Sequence, residues 1–164
     1  MLMFVLFSAG VSAQDSKKSV KAAPITHMDQ FLATLTSSGN DQLAQRVKTL
    51  IKTPQPSVYV TPGNSVERGG GVPVSLYVDA KTMTTPGALD LSHVNKSKVE
   101  LVTIKINNAQ DMNGGIDLSV FNDFPSLKYV YILAEYVTTE QGIIASVENN
   151  NPQYTVFYNV LKAN

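Results

Sequence analysis

Four runs of apolar, β-branched or aromatic residues mark the second half of the chain: Val72 to Val78, Val99 to Ile106, Leu127 to Tyr136, and Tyr154 to Leu161. Their centres, Tyr77, Thr103, Tyr131 and Phe157, lie 26, 28 and 26 residues apart. A hairpin needs only two to five linking residues, so links this long predict strand–crossover–strand units with parallel pairing. The two-residue period of a strand puts Val102, Ile104, Val130 and Ile132 on one face, and Thr103, Lys105, Tyr129 and Tyr131 on the other. Continuing the spacing places Tyr77 and Phe157 beside them, so the second face is expected to carry a lane of Tyr77, Thr103, Tyr131 and Phe157. A shorter run, Val58-Tyr59-Val60, closes at Pro62-Gly63 and leads into an expected loop through Gly69-Gly70-Gly71.

Helical spacing dominates the first half. Met28, Phe31, Leu32 and Leu35 fall on one helix face, with Thr26 and Asp29 as its capping pattern. Ser37-Ser38-Gly39-Asn40 stops that helix. A second is expected over Asp41 to Lys52 with Leu43, Val47, Leu50 and Ile51 on one side, ended by Pro54 and Pro56. Between the strands, Asp90 to Lys96 and Asp117 to Phe124 could each hold a turn or two of helix. Thr138 to Glu148 reads as a full helix capped by Thr138 with Gln141. The expected fold class is therefore α/β: an N-terminal helix pair followed by about four mainly parallel strands with short helical crossovers.

The strand units carry a family resemblance. Val99-x-x-Val102-x-Ile104-x-x-Asn107 follows the pattern L-x-x-L-x-L-x-x-N, and Leu127-x-x-Val130-x-Ile132 follows its first six positions. This resembles the leucine-rich repeat over roughly Leu89 to Glu135. Glu135 stands where that family has Asn. The resemblance implies a parallel sheet on one face and a protein-binding role, usually without catalysis.

Composition narrows the function. The chain has 164 residues, with 13 Lys+Arg against 13 Asp+Glu and no net charge. No clustered basic surface is visible to neutralise phosphates, so no nucleic-acid partner is expected. Met1 to Ala13 is uncharged, with Leu2 to Phe7 continuously apolar and Val11-Ser12-Ala13 shaped like a signal-peptidase site, although no Lys or Arg precedes the run. The expected organisation is a signal peptide over 1–13, a flexible leader over 14–24 and a single α/β domain over 25–164. The apolar run is too short to span a bilayer. The chain has no cysteine, which removes disulfides, thiolate catalysis and Cys-based zinc sites. An exported cysteine-free chain fits a bacterial periplasmic or secreted protein.

Candidate chemistry is sparse. His27 opens a helix and His93 lies in a crossover, and no G-x-S-x-G or H-E-x-x-H motif accompanies them. Asp111-x-Asn113-Gly114-Gly115 resembles the start of a calcium loop without the distal ligands, and a turn is the favoured reading. No cofactor or metal site is nominated. The favoured function is a non-catalytic module that binds a protein or peptide through Tyr77, Thr103, Lys105, Tyr129, Tyr131 and Phe157. A small exported hydrolase with no recognisable motif and a structural envelope protein remain alternatives. The apolar seam of the helix pair must also be buried, and helices lying over the tyrosine face, as a two-layer α/β sandwich, are the alternative to an exposed lane.

Overall fold

The long links between the four evenly spaced apolar runs give four strands that lie side by side in chain order within a larger sheet. The structure, a computed structural model, describes residues 23–160. The expected signal peptide and most of the expected leader lie outside that range.

In chain order the elements are strand β1 (Thr26–His27), helices α1 (Met28–Ser37) and α2 (Asp41–Lys52), and strands β2 (Ser57–Thr61), β3 (Asn64–Arg68) and β4 (Ser75–Asp79). Helix α3 (Ala80–Thr84), strands β5 (Leu101–Ile106), β6 (Ile116–Asp117) and β7 (Tyr129–Ala134), helix α4 (Glu140–Ser146), and strands β8 (Val147–Glu148) and β9 (Thr155–Val160) follow, with single 3₁₀ turns at Ala109–Met112 and, in the crossover expected to hold helix, at Leu118–Phe121. Seven strands form one sheet in the order β1-β9-β7-β5-β4-β2-β3. All its pairings are parallel except β2 with β3. The fold is α/β around a mostly parallel sheet.

The crossovers pack on one face. Val94, Val99, Phe121, Phe124, Leu127 and Ile143 share a core with Val102, Ile104, Val130 and Ile132, which are fully buried. Each approach to a strand repeats one turn: the N–H groups of Val99, Leu127 and Tyr154 donate to the carbonyls of Lys96, Phe124 and Asn151. Side chains link successive units as well. Asn151 donates to Asn122 Oδ1 at 2.8 Å, Ser126 to the Ser97 carbonyl at 2.7 Å, and Asn107 to Asp79 Oδ1 at 3.3 Å.

Several expectations shift. Residues 64–68, expected within a loop, form β3, because Pro62-Gly63 makes a two-residue hairpin turn with Gly63 at φ 67°. The crossover from Asp90 to Lys96 holds turns rather than helix: Asp90 Oδ1 accepts from the N–H and hydroxyl of Ser92, and Asn95 Oδ1 does the same with Ser97. Such local bonds compete with helical ones. The last helix is shorter than Thr138 to Glu148 and is capped one residue later, by Thr139 Oγ1 accepting the Gly142 N–H at 3.1 Å. His27, not Thr26, caps α1 by accepting the Asp29 N–H at 3.2 Å. Leu43, expected on the buried side of α2, stays 45% exposed while Ala44, Val47 and Leu50 are buried.

Candidate functional site: an aromatic lane half covered by helices

On the face away from the crossovers, one row of side chains runs across the sheet. Tyr59 pairs in register with Tyr77, Tyr77 with Thr103, Thr103 with Tyr131, and Tyr131 with Phe157. The lane follows from the even spacing of the apolar runs, since each crossover returns the chain to the same height.

The helix pair covers one end of it. Val47 and Leu50 of α2 join Leu101, Tyr129, Tyr131 and Phe157 in a second core, with Phe31, Leu32 and Leu35 of α1 packed against it. Phe31 stacks on Phe157 at 4.9 Å, and Tyr131 stacks on the same ring at 5.3 Å. Phe157 is fully buried, and Tyr129 and Tyr131 nearly so. Burial raises the hydroxyl pKa of both tyrosines. An ion pair fastens α2 to the sheet: Arg46 donates to Glu100 Oε1 at 2.6 Å, while Lys128 reaches Glu100 Oε2 at 3.1 Å. Burial alone would raise the Glu100 carboxyl pKa, but the two cationic donors outweigh it and hold the group below its usual value.

The other end of the lane is open. Tyr59 is 44% exposed and stacks on half-buried Tyr77 at 4.8 Å, the rings 9° from parallel. Burial, then the neighbouring Tyr59, raises the Tyr77 hydroxyl pKa. Beside Tyr77 lies a groove of about 350 Å³. Thr103 and Lys105 form its floor, and Tyr77 with Asp79 and Leu133 with Glu135 form its sides. Lys105 Nζ bridges to Glu135 at 2.8 Å. Tyr59 also borders a second shallow groove of about 440 Å³, with Thr61, Val66 and Arg68. An aromatic wall, an aliphatic wall and charged tips suit a side chain with an apolar body and a polar end.

Of the six expected binding residues, the structure thus brings Tyr77, Thr103 and Lys105 to the open groove. Tyr129, Tyr131 and Phe157 lie beneath the helices. Tyr59, Asp79, Leu133 and Glu135 were missed as groove residues, although a signal was present. Tyr59 lies between two core valines in Val58-Tyr59-Val60, and Leu133 and Glu135 continue the two-residue period of Tyr129 and Tyr131.

The remaining candidates have local structural roles. Asp111 is buried and accepts the N–H groups of Asn107 and Asn108 at 2.9 and 3.2 Å, closing a 3₁₀ turn over Ala109–Met112. The ring of His27 packs edge-on against Tyr158, while His93 is exposed in its crossover. Among the described residues, no group of three or more His, Cys, Asp and Glu side chains could hold a metal ion, and no helix is long and apolar enough to cross a membrane. No protein-family model, curated protein or solved structure matches the chain.

Proposed function

We propose that this chain is an exported, non-catalytic binding module, leucine-rich-repeat-like in organisation, that recognises a protein or peptide through the open part of its sheet face. The observation that carries this reading is the split lane: α1 and α2 bury Tyr129, Tyr131 and Phe157 but leave Tyr59 and Tyr77 stacked beside an open groove. Tyrosine suits such a surface because it combines a large apolar area with a hydrogen-bonding tip at low conformational cost. The carboxylates of Asp79 and Glu135 around Lys105 favour a peptide over a nucleic acid, whose phosphates they would repel.

The repeat-like organisation draws support from successive parallel strands paired at sequence offsets of 26, 28 and 26 residues, with their crossovers on one face. It departs from the family pattern at Glu135, which pairs with Lys105 instead of serving as a ladder asparagine. Export rests on the N-terminal sequence alone.

A display library of random peptides selected on the immobilised chain tests the reading. Selection should enrich a peptide class that binds wild type and loses capture on Tyr77→Ala. No enrichment, or enrichment equal on the two proteins, would count against this surface.

A further inference from the structure

Strand β3 ends the sheet, and among the described residues no strand pairs with its outer edge. Its hairpin fixes which backbone groups are free. Only two residues separate Thr61 from Asn64, so these two exchange both backbone hydrogen bonds, and the alternation continues through Tyr59 with Val66 and Ser57 with Arg68. The N–H and C=O groups of Ser65 and Glu67 therefore point outward. In any antiparallel pairing with another copy of this edge, outward residues must meet outward residues. Only registers centred on a residue satisfy that condition.

Centring on Glu67 would set Glu67 against Glu67, a like-charge pair. Centring on Ser65 would set Glu67 against Gly63 and Val66 against Asn64, matching neither charge nor apolar surface. Centring on Val66 behaves differently. It sets Ser65 against Glu67 and Asn64 against Arg68, each twice by symmetry, with Val66 meeting Val66 at the close, non-hydrogen-bonded position. The five residues of β3 are thus self-complementary in one register. Val66 is 37% exposed and lies directly across from Tyr59, itself 44% exposed.

We propose that β3 pairs antiparallel with β3 of a second copy about a twofold axis at Val66, joining two seven-stranded sheets into one. The aromatic rows then meet as Tyr77, Tyr59, Val66 and their symmetry mates. The shallow groove beside Tyr59 becomes a trough floored by two valines and walled by two tyrosines three strand spacings apart, about 14 Å. Isologous pairing of this kind closes the edge without leading to fibres.

Sedimentation equilibrium of the full chain tests this through the register. Wild type should show a reversible monomer–dimer equilibrium. Asn64→Asp, which puts a carboxylate opposite Arg68 of the second copy, should tighten the dimer, and Asn64→Arg should weaken it, each by about twofold to thirtyfold. Ser65→Pro removes an outward N–H that β2 does not use and should leave a monomer with an unchanged melt. Should that variant fail to fold, the Asn64 pair alone decides. Tyr77→Ala, which removes the proposed peptide groove, should leave the dimer constant unchanged, so failure of one proposal is distinguishable from failure of the other. A monomer at all concentrations would overturn the proposal. So would a dimer indifferent to both Asn64 substitutions, or a monomer whose edge takes up an extended peptide instead.

Discussion

Tyr59 and Tyr77 stack 4.8 Å apart on neighbouring parallel strands, at the point where the helix pair stops covering the sheet. The same row that forms core under α1 and α2 becomes surface here. The two ends should therefore respond differently to truncation. Phe157→Ala empties a fully buried site and is expected to cost about 3–5 kcal/mol. Tyr77→Ala removes a half-buried ring and one stacked pair at the open end and should cost less, about 1–2.5 kcal/mol. Urea titrations of the two variants check the contrast.

Ile132 lies in the core between sheet and crossovers with no exposed surface. Ile132→Asp would bury a carboxylate among apolar neighbours and is expected to destabilise by several kcal/mol, enough to unfold a domain of ordinary stability. An unchanged thermal melt would mean that the strand faces are reversed.

Glu100 carries the link between α2 and the sheet. Its carboxyl pKa is held below the usual value, so its contribution is present at neutral pH and is lost as pH falls below about 4.3 through the lower folded value. Glu100→Gln should cost about 1–2 kcal/mol at pH 7, a figure reduced because Arg46 and Lys128 are partly exposed. Below the folded-state pKa the variant and wild type should melt together.

Tyr154 gives the alkaline counterpart. The residue is 5% exposed, its hydroxyl donates to the Leu118 carbonyl at 3.2 Å, and burial pushes its pKa up to about 12. A neutral acid with a raised folded pKa stabilises the fold below its unfolded value near 10 and loses that contribution as pH rises through about 12. Melting temperature should fall between pH 10 and 12, and Tyr154→Phe should shallow that fall while lowering stability at pH 7.

The parallel sheet and its lane were legible because the strands are long, β-branched and evenly spaced. Periodicity and spacing together fix register without any knowledge of the crossovers. Strand β3 was not legible: Asn64-Ser65-Val66-Glu67-Arg68 has a single apolar residue, as an edge strand facing solvent allows. The crossover near Asp90 misled because Asp90-x-Ser92 and Asn95-x-Ser97 bond locally instead of starting helices. The site divided along the same line. Alternation places Tyr77, Tyr129 and Tyr131 on one face, but which of them stay open depends on where α1 and α2 dock. That docking is set by Arg46 with Glu100 and Phe31 with Phe157, contacts 54 and 126 residues apart in the chain.

The open groove is the centre of the functional proposal, and the affinity of a library-selected peptide for wild type and Tyr77→Ala measures it most directly. Titration at a temperature where both proteins are folded should show a loss of about tenfold or more for the variant, the scale expected of an aromatic anchor. Equal affinity for both proteins, with both melts intact, would show that the peptide binds elsewhere.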